Sequence, residues 1–331
     1  MASGDIINYS IRPAKTVERK IIRDIFFNLS SFYPLENYRY IGFGSKYFSD
    51  FKLFHKDLHI EDMVSIEGDV DNAIKYEFNK PFKCIDVKLG MSTDVLTELE
   101  YVKPYICWLD YDYALKQSVL DDIDILLENI LSGSVISVSL NVRPYRLMAL
   151  REEFSSTSGT HSELLRQKLE SIVESQFVPI SFPESGLNKV EVFSEIIRSI
   201  ILNKIINKLN QVNSAVDDED KITFSQIYNF FYKDGADMST WGWFFYKKSE
   251  QEKYDSCNFE RLNYYSNNQE IYSINIPNFT IKEINKLLEY MPCQGPIDRS
   301  ALPIEIYNEK DVRDFSKIYK YYPSFVSAEF G

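Results

Sequence analysis

From Tyr38 to Leu140 the apolar residues fall into five short β-prone runs, and the stretches between them space their apolar residues as helices do. The runs are Tyr38 to Phe43, Met63 to Glu67, Phe82 to Leu89, Tyr105 to Leu109 and Ser134 to Leu140. Between them, Tyr47, Phe51, Phe54 and Leu58 keep helical spacing, Asp71 to Phe78 reads as a short helix, and Thr93 to Leu96 reads as a helical turn. Leu115 to Leu131 repeats apolar residues at 119, 123, 126 and 130, a longer helix. Strands alternating with helices over short connections specify a parallel sheet covered on both faces. Right-handed crossovers make that sheet doubly wound.

The flanks add to this unit. A helix is expected from about Pro13 to Ser30, with Val17, Ile21, Ile22, Ile25 and Phe26 as its buried stripe. Pro13 falls in its first turn, where a missing N–H costs nothing. After Asn141 the pattern changes: residues 145 to 153 look helical, and 155 to 160 form a Ser/Thr/Gly loop. Thr160 and Glu163 make a capping box for a helix through Val173. Residues 176 to 189 read as a Pro-containing linker and Val190 to Leu209 as a long helix. Two aromatic, β-prone runs then flank Asp234-Gly235, a hairpin signal. The expected fold is α/β, a doubly wound, mostly parallel seven-stranded sheet with an antiparallel hairpin, an N-terminal helix and an α-rich C-terminal extension. That extension carries a helix capped by Thr280 and Glu283 and an aromatic tail, Tyr319 to Phe325. The expected organisation is a helical cap over 1–37, the doubly wound domain over 38–250 with a helical insertion at 145–189, and the extension over 251–331.

Composition narrows the function classes. A net charge of -12 argues against a surface that grips nucleic acid along its length, although Arg143, Arg146 and Arg151 form a local basic cluster. The four cysteines are scattered and there are three histidines, so a structural zinc site is not expected. His55, His59 and His161 read as surface or packing residues. The segment MASGDIINYSIRPAK lacks the apolar core of a signal peptide and no run reaches membrane-span length, which predicts a cytoplasmic protein with no membrane partner.

The residues at the carboxyl ends of the strands carry the chemistry, because open parallel sheets bind ligands there. Gly42-Phe43-Gly44-Ser45 follows the first strand, and glycine there lets backbone approach a ligand closely. Glu67 ends the second strand about 25 residues on, a position from which a carboxylate accepts hydrogen bonds from ribose hydroxyls; Asp69 is the alternative. Ser92 and Asp94 follow the third strand. Asp110 closes the fourth and Asp112 follows, two carboxylates suited to orient a substrate, accept a proton or hold a divalent metal. Asn141 and Arg143 stand at the end of the fifth strand and suit an anionic substrate. Arg12, Lys15 and Arg19 share one helix face, read as a solvated row in preference to a cover over the pocket.

Five alternating strands, a helix and a hairpin, in that order, resemble the class I S-adenosylmethionine-dependent methyltransferases over residues 38 to about 248. YIGFGS stands where that family has its glycine motif, with Lys46 in place of the third glycine. SIEGD stands at the ribose-binding acid and ICWLDYD at the fourth-strand acidic motif. The segment WLDYDYALKQSVLDDIDILLENILSGSVISVSLNV looks most like the O-methyltransferase branch, bacterial members included. The resemblance implies S-adenosylmethionine as cofactor on Gly42, Phe43, Gly44, Ser45, Glu67, Asp69, Ser92 and Asp110. It further implies Asp110 or Asp112 as base for a hydroxyl acceptor, and Asn141 and Arg143 at the acceptor. In metal-dependent members an Asp after the fourth strand and an Asp-Asn pair after the fifth bind magnesium. Asp110 or Asp112 and Asn141 answer to two of these positions and Leu140 stands at the third, so magnesium is the weaker expectation. The Asn/Asp-Pro-Pro-aromatic motif of amino-directed nucleic-acid methyltransferases is not present at the fourth strand. The alternative to an enzyme is a binding or sensing subunit on the same fold, with the C-terminal extension as its protein-partner surface or as a substrate cap. A nicotinamide enzyme is a third reading, opposed by the hairpin and the shortened glycine motif.

Overall fold

A computed structural model describes residues 12–155, 157–293 and 306–323. Its centre is one sheet in the order β3-β2-β1-β4-β5-β7-β6-β8. Strands β1 (Arg39–Gly42), β2 (Asp62–Glu67), β3 (Ile85–Leu89), β4 (Tyr105–Asp110) and β5 (Val135–Asn141) are parallel. The order reverses between β1 and β4, so the carboxyl ends of those two strands open a crevice. The hairpin β6 (Ile222–Lys233) and β7 (Asp237–Lys247) follows the long helix, and β7 lies antiparallel to β5. Its turn uses Gly235 at φ 79°, backbone that side chains other than glycine rarely adopt.

The sheet has eight strands, one more than the seven expected. Tyr272–Ile274 of the C-terminal extension forms β8, parallel to β6. Three residues with one aromatic are too short a run to stand out from a loop. The rest of the expected order is present, including both capping boxes, at Thr160/Glu163 and Thr280/Glu283. Residues 1–11 and the end of the aromatic tail, Ser324 and Phe325, lie outside the described residues.

Each face of the sheet is covered by its own core. On one, Tyr105, Cys107 and Leu109 of β4 and Ile136, Val138 and Leu140 of β5 pack with Trp241 and Trp243. This face is closed by α5 (Gln117–Glu128) and α8 (Val190–Val212), with α4 (Ser92–Glu98) beside them. On the other face Tyr40, Ile106, Trp108 and Phe244 pack against α1 (Pro13–Phe27) and α2 (Ser49–Leu58). Helix α1 brings Val17, Ile21, Ile22 and Ile25, all fully buried, and each contributes about 1.5–3 kcal/mol relative to exposure. The extension also joins this core through Ile318, and Tyr321 donates to Asp24 at 2.7 Å.

The face under α1 is not wholly apolar. Ser137 and Ser139 of β5 and Thr240 of β7 are buried on it, and Asp110 lies opposite Ser139 in the ladder. The spacing that makes one face of β5 aliphatic makes the other a row of hydroxyls. A strand covered on both sides normally reads as continuous hydrophobe, so this row marks where the fold departs from packing alone.

Candidate active site

Two cavities meet at the carboxyl edge of the sheet. The first, about 590 Å³, lies over the ends of β1 to β4 and is lined by Phe43, Ser45, Glu67, Asp69, Ser92, Asp110 and Asp112, with Lys46, Lys75 and Met91 at its sides. The second, about 330 Å³, is lined by Gly44, Ser49, Asp50 and Tyr232, by Arg12, Lys15 and Arg19 of the α1 segment, and by Asp234 of the hairpin turn. Phe43, Ser45, Asp110, Tyr111 and Asp112 line both, so these residues form the wall through which the two communicate.

The turn after β1 accounts for the shortened glycine motif. Gly44 has no room for a side chain: a Cβ there would meet the Phe48 ring at 2.6 Å and the Ser65 hydroxyl. Its backbone N–H donates to Ser65 Oγ at 3.0 Å, and Ser65 donates on to Glu67 Oε1 at 2.7 Å. The chain does not enter a helix there. Ser45 takes φ 47°, a 3-10 turn spans Ser45–Tyr47, and Phe48 at φ 48° leads into α2 at Ser49. Tyr47, expected on the helix, lies in that turn. A third glycine serves close helix–strand packing immediately after the turn. Here the helix starts later, and Lys46 points to the first cavity instead.

Glu67 is buried at the base of the first cavity. Burial pushes its carboxyl up to about 7; the Ser65 hydroxyl and the backbone N–H groups of Gly44 and Ser45 oppose this, and Asp50 adds to it. Asp69 lies higher on the wall and accepts from Asn72 at 2.8 Å. Ser92 reaches the cavity from the start of α4 while its hydroxyl donates to Asp122 of α5, which also receives Thr93 at 2.6 Å and the Tyr111 hydroxyl. Asp122 is fully buried, and it fixes the Tyr111 ring, which packs on Phe43 at 5.2 Å. Asp94 is exposed on α4.

The second cavity corrects the reading of the α1 cations as a solvated row. Lys15 is buried, with its ammonium 2.6 Å from Asp110 Oδ1, 2.7 Å from Glu18 Oε2 and 3.1 Å from the Tyr232 hydroxyl. The ring of Trp108 lies beneath it at 4.5 Å. Burial disfavours the Lys15 charge, but Asp110 and Glu18 more than offset this and raise its pKa, so it stays an ammonium. Arg12 donates to the Asp234 carbonyl at 2.9 Å. Asp50 accepts from the Tyr40 hydroxyl; burial raises its carboxyl, and the Arg19 charge opposes that. Sequence reasoning set Lys15 aside as solvated and passed over Glu18, Tyr232, Asp50 and Asp122. The hydroxyl row on β5, facing the helix that carries Lys15 and Glu18, is the signal that would have found those two; the other three carry no such signal.

Of the sequence-predicted residues, Phe43, Gly44, Ser45, Glu67, Asp69, Ser92, Asp110 and Asp112 come together here, with Gly42 buried beneath. Asn141 and Arg143 are not brought into either cavity. Asn141 Oδ1 accepts from the Arg143 backbone N–H at 3.0 Å, and the Arg143 side chain is exposed. The expected basic cluster also divides: Arg146 and Arg151 line a separate open hollow on the insertion. No described residue beyond 250 lines either cavity. His55 stacks on Phe82 at 4.3 Å, apart from the site.

A divalent cation does not fit the donors present. Among the described residues no three His, Cys, Asp or Glu groups cluster as a metal site. Asp110 already holds the Lys15 ammonium, and Asn141 caps its own loop. No helix among the described residues is long and apolar enough to cross a membrane.

The strand order, with a reversed strand beside β5, is the one expected from the resemblance to the class I methyltransferases. The chain belongs to the family described as "Putative O-methyltransferase", which it matches over residues 7–330. No curated protein matches it. Among solved structures, the O-methyltransferase TomG from Streptomyces achromogenes, in complex with S-adenosylmethionine, is 11% identical over 67% of this chain and 78% of that one, at TM-score 0.36. An O-methyltransferase from Bacillus cereus, in complex with S-adenosylhomocysteine, is 12% identical over 67% of this chain and 80% of that one, at TM-score 0.35. A mutant of MtNAS is 13% identical over 31% of this chain, at TM-score 0.25, and the chain spans little more than a third of it, 37%.

Proposed function

We propose that this chain is an S-adenosylmethionine-dependent O-methyltransferase with its cofactor in the first cavity and its acceptor in the second. The observation that carries this is the shared wall: Asp110 and Asp112 face both cavities, so groups bound on either side meet there. When bound, S-adenosylmethionine supplies a methyl carbon on a sulfonium, displaced in line by an acceptor oxygen. Glu67 accepts the ribose hydroxyls, and Gly44 keeps the backbone low enough for the cofactor to lie over the turn. Ser92 and Tyr111, both held by Asp122, bound the cofactor side.

Positioning across the wall supplies most of the rate, since a held pair needs no encounter. A hydroxyl acceptor also gives up a proton. The Asp110 carboxylate would take that proton as the acceptor oxygen receives the methyl group that the bound cofactor would supply. Lys15 occupies Asp110 Oδ1, which leaves Oδ2 for that proton. Asp112, exposed at the mouth, is the alternative base. A carboxylate acceptor would need neither.

Calorimetric titration with S-adenosylmethionine and with NAD tests the cofactor. Binding of the first, weakened by Glu67→Ala, is expected; tighter binding of NAD would replace this reading with the nicotinamide one. Labelled methyl transfer into a cell extract tests turnover. Asp110→Asn should bind cofactor and lose transfer, and full transfer by both Asp110→Asn and Asp112→Asn would remove the base assignment. Cofactor binding with no transfer into any extract would favour a sensing subunit.

A further inference from the structure

We infer that Lys15, Glu18 and Asp110 form a cluster of net charge −1, buried at its first two members and open to the cavities at the third, that reads the charge of the bound cofactor, favouring S-adenosylmethionine over S-adenosylhomocysteine. The inference rests on the cofactor placement proposed above. With the methyl group directed into the second cavity, the sulfonium lies at the shared wall, beside Asp110.

The charge of the cluster follows from its hydrogen bonds. Trp108 Nε1 can only donate, and it donates to Ser139 Oγ at 2.9 Å. Thr240 donates to Glu18 Oε1, so its oxygen is left to accept from Ser139 Oγ, 2.8 Å away. Glu18 Oε2 faces the Lys15 ammonium at 2.7 Å. Glu18 thus takes a hydroxyl at Oε1 and an ammonium in ion-pair contact at Oε2, the surroundings of a carboxylate. Burial pushes this carboxyl upward, and the Lys15 charge and the Thr240 hydroxyl oppose it. One ammonium shared by two carboxylates leaves a single negative charge.

Neighbouring charges pair among themselves. Arg12 meets Asp234 at 3.6 Å, and the Arg19 charge acts on Asp50. Glu18 itself lines neither cavity and is fully buried, so it acts on the cofactor through Asp110. It is a positioning residue of an electrostatic kind. Methyl transfer turns the sulfonium into a neutral thioether as Asp110 takes the acceptor's proton, and both charges vanish together. The spent cofactor then has no opposite charge holding it.

The test needs no acceptor. Both cofactor forms are titrated calorimetrically into the wild type, Glu18→Gln and Lys15→Met at low salt and pH 7.5. The wild type is expected to bind S-adenosylmethionine several-fold more tightly than S-adenosylhomocysteine. Glu18→Gln is near-isosteric and leaves the cluster neutral. It should lower that ratio several-fold, as one unit charge set back behind Asp110 predicts, with affinity for the neutral form changed less than about twofold. Lys15→Met should not lower the ratio. Equal wild-type affinity for the two forms, or equal loss of both in Glu18→Gln, overturns the inference and leaves the methyltransferase reading standing. Binding of neither form by the wild type overturns both.

Discussion

The two cavities are built in different ways. The first is made by loops that each follow a strand directly, so its residues appear in sequence at the ends of β1, β2, β3 and β4. The second is assembled from α1 and the hairpin: the Lys15–Tyr232 contact joins positions 217 apart, and Thr240 reaches Glu18 from 222 positions away. A cofactor common to many enzymes can be held by a local pattern. An acceptor particular to one enzyme is met by side chains that only the finished fold brings together. The difference predicts that substitutions in the first cavity act on cofactor binding, and that those in the second, apart from the Lys15–Glu18–Asp110 cluster, act on turnover with binding preserved.

Gly44→Val should produce the largest effect: Gly44 lines the second cavity, but its N–H holds the Ser65–Glu67 chain at the base of the first, so the variant tests the first half of that contrast. The added side chain overlaps Phe48 and the Ser65 hydroxyl, and overpacking of this kind costs about 1–3 kcal/mol. Loss of measurable S-adenosylmethionine binding is expected, with a lowered thermal midpoint. Retained binding would mean that the cofactor does not lie on this turn.

Glu67→Gln comes next, with about 2 kcal/mol of cofactor affinity lost if its carboxylate accepts the ribose hydroxyls. The wild type carries its own check in pH. The folded carboxyl is held near 7, above its ordinary value of 4.5, so the folded state binds more protons in that window. Glu67 therefore favours folding most below about 4.5, and that contribution is lost as pH rises through 7. Cofactor affinity should run the other way, because the ribose hydroxyls prefer the carboxylate. Calorimetry should show affinity rising from pH 5.5 to about 7 and then levelling, a slope that Glu67→Gln abolishes. A flat wild-type profile would remove the ribose assignment.

What the sequence shows and what it hides follow the same division. The parallel strands, the hairpin and both capping boxes are legible because their signals are local: period, glycine, cap residue. Glu67 and Asp110 are legible because a carboxylate that ends an apolar strand has few structural reasons to be there. Lys15 and Glu18 are not, since on α1 they read as ordinary helix charges and only contacts from β4, β6 and β7 enclose them. β8 is hidden by its length of three residues. Asn141 and Arg143 show the converse. Their place after a strand suggested the site, but the Asn141 amide turns back onto the Arg143 N–H and the Arg143 side chain is exposed, so neither lines a cavity.

Asp122 tests whether the first cavity depends on support behind its lining. It receives Ser92, Thr93 and Tyr111 at once, so Asp122→Asn turns an amide toward donors. A loss of about 1–3 kcal/mol in stability is expected from the unsatisfied groups. Cofactor affinity should fall only a few-fold, as the Tyr111 ring loosens against Phe43. A fall in affinity equal to that of Glu67→Gln would place Asp122 in contact with the cofactor.

Arg143→Ala should do the least. Its side chain is exposed and its backbone N–H, which a substitution keeps, makes the one contact seen with Asn141. Stability should change by no more than about 0.5 kcal/mol, and cofactor affinity should be unaltered. Turnover decides the point. If methyl transfer with wild-type extract substrate drops tenfold or more in Arg143→Ala, the acceptor extends beyond the second cavity to the end of β5, and an anionic group on it becomes the reason. If transfer is unchanged, the acceptor lies between α1 and the hairpin turn, where Arg12, Arg19, Asp50 and Asp234 select it.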